Sequence, residues 1–252
     1  MKKAFWKNLA LSAIGLAVIA VLWMIAYWTI GNDYILPDFF LCLKEGVILL
    51  GNGVFWSGVF ATLLRVLIAF VCSLIFAVIF ALISYLYPTF RQIFAPIVGV
   101  LRAVPVLGVL LLIQKYANNS ATATVIVAFL SLCPILYTEI LSALLGVDKE
   151  LIEMSNVYQV PLKRQITQLY LPSALPHVLR SSGAALGFGV KLVISAEVLV
   201  RTAGGLGGQI QDAQILDELP EMFALLMVAC LVAFVMEAVL IRLSLWMERR
   251  GK

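Results

Sequence analysis

SGVFATLLRVLIAFVCSLIFAVIFALISYLY (Ser57–Tyr87) carries one charge, Arg65, and stops at Pro88. A helix rises about 1.5 Å per residue, so roughly 20 apolar residues cross a hydrocarbon core of roughly 30 Å. This run is long enough to span a bilayer as a helix, and the rest of the chain repeats the pattern. The 252 residues are 63% hydrophobic and only 13% charged, with a mean hydropathy of +1.04, whereas a soluble domain carries about a quarter charged residues. Too few polar side chains exist to coat a water-facing sphere, so lipid is the expected solvent for much of the surface.

Breakers divide the chain into about six spans: 9–30, 57–87, 93–116, 121–145, 172–200 and 221–247. The third is interrupted by Pro96 and Pro105, and an Asn118-Asn119-Ser120 turn leads into the fourth. Residues 39–50 are apolar but too short to cross, which predicts an interfacial helix on the outer leaflet. Lys2, Lys3 and Lys7 ahead of the first run resemble a signal peptide. That run exceeds the ~7–15 residues of such a segment and lacks a small-residue cleavage site. It is expected to stay as an anchor. The reading is one all-α transmembrane domain over 1–252: an N-terminal span at 9–30, a five-span core at 57–247, and a polar loop at 146–171.

Lys/Arg bias sets the expected orientation. With the N-terminus inside, the inner face holds Lys2, Lys3, Lys7, Arg91, Lys149, Lys163, Arg164, Arg249, Arg250 and Lys252. The outer face holds only Lys44, Lys115 and Arg201, among the acids Asp33, Asp38, Asp212, Asp217, Glu218 and Glu221. Trp28 and Trp56 then sit at the outer interface, Trp6 and Trp246 at the inner one, and both termini are cytoplasmic. Cys42, Cys72, Cys133 and Cys230 lie far apart and His177 is the single histidine. Core-filling thiols are expected, with neither a disulfide framework nor a metal site. No catalytic set and no nucleic-acid motif emerges, and no internal repeat stands out. A membrane-embedded acyl or prenyl transferase would need clustered Asp, His or Cys, which the scattered acids do not supply.

The polar loop reads Glu153-Met-Ser-Asn-Val-Tyr-Gln159-Val-Pro-Leu-Lys-Arg-Gln-Ile-Thr-Gln-Leu169-Tyr-Leu171-Pro172. It resembles the EAA loop of permease subunits of binding-protein-dependent ABC importers, E-A-A, three residues, G, nine residues, I-x-L-P. Glu153, Leu171 and Pro172 are in register and Leu169 stands for the isoleucine; Met154 and Ser155 replace the alanines, and Gln159 the glycine. Ile35-Leu-Pro37, Thr62-Leu-Leu-Arg65-Val, Leu101-Arg102-Ala-Val-Pro105, Cys133-Pro134-Ile-Leu, Ser195-Ala-Glu197 and Gly205-Leu-Gly207 look like landmarks of the nitrate/sulfonate/taurine-type branch, which includes carriers of pyrimidine vitamin precursors. The similarity covers about residues 35–250.

The resemblance implies a type I ABC importer permease, not itself an enzyme. A cytoplasmic ABC ATPase dimer would grip the loop at Glu150, Leu151, Glu153, Met154, Ser155, Asn156, Val157, Gln159, Val160 and Pro161. It further implies an extracytoplasmic substrate-binding protein, a second permease copy, and ATP with Mg held by the ATPase, this chain binding no cofactor. The residues agree. Asp148, Glu150 and Glu153 suit a helix start. Leu151, Ile152, Met154 and Val157 offer an apolar side to a partner groove. Pro161 is expected to end the helix, and Lys163 and Arg164 meet either the ATPase or lipid headgroups. The chain has no Walker motif, so any ATP hydrolysis belongs to another subunit. The alternative reading is a secondary transporter or channel that needs no ATPase.

Ionisable residues inside spans usually face the bundle interior or a water-filled path. Glu139, His177 and Arg180 are near span ends, where snorkelling explains them. Arg65 either pairs with Glu197 or a carbonyl, or serves transport. Lys191 and Glu197 are six residues apart, about 600° of helix rotation, and so sit on different faces. Arg102, Pro105, Lys191 and Glu197 are the candidate path residues, with a structural ion pair the alternative for Lys191. Gly204–Gly208 reads as a flexible outer loop or as a contact for the binding protein, with a short helix over 209–216.

Overall fold

The computed structural model describes residues 2–117 and 119–250, and every regular element among them is helical. The helices are α1 (Lys2–Ile30), α2 (Phe39–Leu49), α3 (Gly53–Leu86), α4 (Pro88–Ala103), α5 (Val106–Tyr116), α6 (Ser120–Leu145), α7 (Lys149–Val157), α8 (Leu162–Gln165), α9 (Leu171–Leu199), α10 (Leu206–Ile215) and α11 (Leu219–Arg250). A π-helical turn, Ile166–Tyr170, joins α8 to α9. Expectations resting on the side chains of Lys2, Lys3, Trp6, Lys7, Arg249 and Arg250, and on Asn118 and Lys252, lie outside the described residues.

Side-chain caps fix where several helices begin. Asp38, Asn52, Asn119 and Asp148 each accept a hydrogen bond from a backbone N–H of the following turn, at 2.7–2.9 Å. Each satisfies a donor that the helix itself leaves unpaired. Pro88 opens α4, where its missing N–H costs nothing.

Among the described residues, four stretches are long and apolar enough to cross a membrane: α3, α6, the 38 residues Leu162–Leu199, and α11 as far as Trp246. Among the same residues α4 and α5 taken together, bent by 89°, make a fifth. α1 runs for 29 residues, and the described part of its side chains, Ala17–Ile30, is apolar. The two prolines expected to interrupt the third span behave differently. Pro96 is accommodated inside α4, and the break falls at Val104-Pro105. Val104 takes the extended conformation (φ −66°, ψ 130°) that a following proline favours.

The core is built where α3 packs on α6 and α9 packs on both α6 and α11. Small residues make the approach close. Thr62, Val66, Ala69, Ser73, Ala77, Ala81 and Ser84 form the buried stripe of α3. Ser73 donates to the Phe129 carbonyl at 3.2 Å, and Ser84 meets the Tyr137 hydroxyl at 2.9 Å. On α9, a Cβ at Gly183 would lie 3.1 Å from the Glu237 carbonyl, and one at Gly189 3.2 Å from Leu132. The outward faces carry Phe60, Ile75 and Ile79 on α3 and Leu231, Phe234 and Val239 on α11, all exposed, as a lipid-facing surface requires.

Helix α2 packs against α11 with Cys42 and Leu49 buried. Trp23 of α1 donates to the Pro37 carbonyl at 3.0 Å and sets its ring edge-on to Phe39 and Phe223. Core filling describes only Cys42, whose thiol burial pushes up to about 11. Cys133 is half-buried, and Cys72 and Cys230 are exposed among apolar neighbours.

The turn after α7 explains the motif's missing glycine. The Val160 N–H bonds to the Ser155 carbonyl and the Gln159 N–H to the Asn156 carbonyl, each at 2.9 Å. That is a Schellman cap, in which the residue one past the cap must be left-handed. Gln159 occupies that place with φ 51°. Gln165 braces the strained turn, donating from Nε2 to the Val160 carbonyl at 2.9 Å and to Asn156 Oδ1 at 3.1 Å. The helix therefore ends at Val157 through its cap, ahead of Pro161, which instead starts the next turn. Relief of left-handed strain outweighs glycine's extra unfolded entropy, so Gln159→Gly should stabilise the loop by about 0.5–1 kcal/mol. A thermal melt of the detergent-solubilised protein checks this; an unchanged or lowered midpoint would contradict it.

Candidate functional site: the open face of α9

Helix α9 is enclosed on most sides. Ser182, Gly183, Leu186, Gly187, Val190, Val193, Ile194 and Glu197 are buried. Its exposed residues recur at His177, Arg180, Ala184, Phe188, Lys191 and Ser195, with Ser181 half-buried beside them. Intervals of three and four place them on one stripe. Between Ser182 and Glu197 every exposed residue thus falls on one face. That face, continued back to His177, carries two cationic side chains, an imidazole and two hydroxyls. Nearer the helix start, Leu171 and Pro172 are exposed as well, and Leu175, Val178 and Leu179 line a separate apolar cavity.

Glu197 fixes which face this is. Its carboxylate has no exposed surface and is met by three groups from two helices. Arg65 of α3 forms an ion pair with Oε1, Thr62 donates to Oε2 at 2.8 Å, and the Gly207 N–H donates to Oε2 at 3.0 Å. Thr62 in turn accepts from the Leu206 N–H at 2.8 Å, and Arg65 reaches the Ala203 carbonyl at 3.3 Å. A buried carboxylate is tolerable only when its lone pairs are filled in this way. Glu197 was expected on the translocation path; its burial removes it from any open surface, and it acts as a clamp. Arg65 takes the pairing alternative.

The same clamp corrects the reading of Gly204–Gly208 as a loose loop. Leu206, Gly207 and Gly208 are buried, and α10 starts at Leu206, three residues earlier than the helix expected over 209–216. A Cβ at Gly207 would collide with Glu197 Cβ and approach the Ile194 carbonyl to 2.6 Å. Backbone cannot give way, so glycine is required there.

Lys191 is exposed on the stripe and, among the described residues, makes no ion pair within the chain. Arg102 and Pro105 are exposed at the α4–α5 bend. Helix α5 leans on α6 and on the far end of α9, with Leu110, Val127, Ala196 and Val200 in one apolar cluster. The structure thus brings Lys191 onto an open face and Arg102 to an exposed bend, without a direct contact between them. Sequence reasoning left Glu139, His177 and Arg180 at span ends. His177 Nε2 lies 3.5 Å from Glu139 Oε2, joining α9 to α6 at the edge of the same stripe. The i, i+3, i+7 spacing of polar residues on a helix with glycines on its other side was the available signal.

At the α7 end, Asp148 through Pro161 form the loop. Ile152 packs against the core and Ser155 is buried. Leu151, Met154, Val157 and Tyr158 are exposed, the last two at 80% and 76%. Ile152 is therefore not part of the apolar face presented outward, and Tyr158 completes that face. Glu150, Glu153, Asn156, Gln159 and Pro161 are exposed around it, with Val160 half-buried.

Residues 73–251 match the family described as the binding-protein-dependent transport system inner membrane component. This chain belongs to that family. It is a permease subunit of the ABC importer class, a multi-pass inner-membrane protein. A probable ABC transporter permease of Brucella abortus is 27% identical over 249 residues, 96% of this chain and 99% of the relative. The taurine transport system permease TauC of Escherichia coli is 24% identical over 92% of this chain and 86% of its own length. The putative aliphatic sulfonates permease SsuC of Bacillus subtilis is 29% identical over 51% and 46%. The fold resembles the inward-facing MetNI methionine ABC transporter at TM-score 0.66 and 17% identity, covering 75% of this chain and 94% of that one. An alginate ABC transporter in complex with its alginate-bound periplasmic protein gives 0.65 at 14% identity over 94% of both. These similarities establish the type I importer permease architecture.

Removing one member of the clamp leaves a charge buried without its partner. Arg65→Met should cost about 3–5 kcal/mol, while Arg65→Lys, which keeps the charge, should cost less. Thermal midpoints of the purified variants check the order; equal midpoints would show that the ion pair is not what secures α9.

Proposed function

We propose that this permease carries a small anionic or zwitterionic solute of the sulfonate kind inward along the open stripe of α9. An ABC ATPase dimer that binds ATP with Mg and grips α7 would drive it. The observation that carries the reading is the stripe itself: one polar, cation-bearing face on a helix that, from Ser182 to Glu197, exposes no other residue. Lys191 and, at the α4–α5 bend, Arg102 attract an anion. The transport of taurine and aliphatic sulfonates by the relatives TauC and SsuC, as their names state, points the same way.

A second copy of the chain would close the stripe into a path by setting its own α9 opposite. In this reading the α7 end faces the cytoplasm, as do both termini. Arg91, Lys149, Lys163 and Arg164 are at that end, whereas the opposite end gathers Asp33, Asp38 and Asp217 around one cavity. That distribution follows the positive-inside rule. A substrate-binding protein would deliver solute at the α10 end. Membrane lipid covers the remaining apolar faces. No specific observation favours a channel or an ATP-independent carrier.

The exposed ridge of Leu151, Met154, Val157 and Tyr158 on α7 is suited to a groove in the ATPase. Energy reaches the stripe because Leu162–Leu199 is one continuous rod from that loop to the clamp. Val157→Asp would place an unpaired charge in the groove and should weaken ATPase association by about 2 kcal/mol, about 30-fold. Glu153→Lys should likewise lose coupling. Co-purification and binding-protein-stimulated ATP hydrolysis measure both; normal values for the two variants would overturn the docking assignment. For the stripe, Lys191→Met should lower ATP-dependent uptake of labelled taurine or alkanesulfonate by vesicles containing the assembled complex. Full uptake by that variant, or uptake without ATP, would contradict the proposal.

A further inference from the structure

Where α9 meets α6, a cavity of about 430 Å³ opens onto the stripe. Glu139, His177, Arg180, Ser181, Ala184 and Phe188 line it. It lies on the α7 side of Lys191, and its composition differs from the rest of the face. Elsewhere the charged groups of the stripe and of the α4–α5 bend are cationic; here a carboxylate faces an imidazole and a guanidinium across two helices.

The hydrogen-bonding capacities divide the site. Ser181 Oγ donates its hydrogen to the His177 and Val178 carbonyls at 3.1 and 3.2 Å. Its lone pairs are left as acceptors. Glu139, half-exposed and 3.5 Å from His177 Nε2, has further acceptor positions, since an ionised carboxylate offers about four. These two groups suit an ammonium. Arg180 can only donate, in a planar fork that matches a carboxylate or sulfonate. His177 and Arg180 are three residues apart on one helix face, so their side chains are neighbours. Ala184, small and exposed, leaves room in the cavity, and half-exposed Phe188 lines it on the side towards Lys191.

We propose that this cavity is a solute subsite selective for a short zwitterion, holding the ammonium at Glu139 and Ser181 and the sulfonate or carboxylate at Arg180 and His177. This rests on the reading of the stripe as the transport path and narrows the solute within it. A purely anionic solute of the same size would meet Glu139 unfavourably, so the subsite would prefer an aminoalkanesulfonate to an alkanesulfonate. Specificity of this kind comes from a repulsive group as much as from attractive ones.

Taurine and propane-1-sulfonate are the probes, because an ammonium replaces a methyl group between them while shape and sulfonate are kept. Ser181→Cys is introduced into a chain whose four native cysteines are replaced, and the complex is assembled with its ATPase. The rate at which a water-soluble thiol reagent modifies the new cysteine is followed with each solute. Because this substitution removes one proposed acceptor, Ala184→Cys is labelled in parallel as a second reporter. Taurine should slow modification at both positions about tenfold more effectively than propane-1-sulfonate. Glu139→Gln should collapse that ratio towards unity, and Arg180→Gln should abolish protection by both solutes. Equal protection by the two solutes, protection by neither, or a ratio indifferent to Glu139→Gln would overturn the subsite. ATP-dependent uptake by the unlabelled complex is measured alongside. Uptake with failed protection discards only the subsite, whereas no uptake discards the transport reading with it.

Discussion

A carboxylate without exposed surface holds this molecule in register. Within a bilayer, helices gain nothing from exchanging lipid contact for one another's apolar faces, so directional polar contacts and close small-residue packing decide which faces meet. Glu197 supplies the directional contact. Its two oxygens draw on a guanidinium from α3, a hydroxyl from α3 and a backbone N–H from α10, and the observed rotation of α9 satisfies all three. The rest follows from that rotation. Gly183 and Gly187 turn to α11, Gly189 turns to α6, and His177, Arg180, Lys191 and Ser195 are left exposed along one side.

Much of this was legible in the amino-acid order. Length and hydropathy placed four of the expected spans and the bent α4–α5 pair, because crossing a hydrocarbon layer fixes a minimum apolar run. The register of Glu153 with Leu171 and Pro172 located the loop, and α7 forms where Asp148 caps it. What could not be read was which of two charges on one helix would be buried. Lys191 and Glu197 were separable by rotation, but only the position of Arg65, 132 residues earlier in sequence, decides that Glu197 turns inward. The glycines of Gly205–Gly208 read as a pliable loop for the same reason: their crowding comes from Glu197 and Thr202, not from local sequence.

Prolines and the motif glycine carry a related lesson. Pro96 and Pro105 look alike in sequence, yet one rides inside a helix and the other bends the chain by 89°. The difference lies in the residue before each proline: Val104 is extended, whereas Ala95 stays helical. At Gln159 the cap geometry wins over the residue's own preference, because the carbonyls of Ser155 and Asn156 otherwise end α7 unpaired and Gln165 braces the turn from outside. Local propensity loses wherever several fixed hydrogen bonds demand a particular backbone.

If the clamp sets the rotation of α9, reactivity along that helix must be periodic. Single cysteines placed at each position from 177 to 195, in a chain without its native thiols, would be exposed to a charged, water-soluble thiol reagent in the assembled complex. The account predicts modification at 177, 181, 184, 188, 191 and 195 and protection at 182, 183, 186, 190 and 193. Uniform protection along the helix, or a reactive stripe turned to the glycine face, would contradict it.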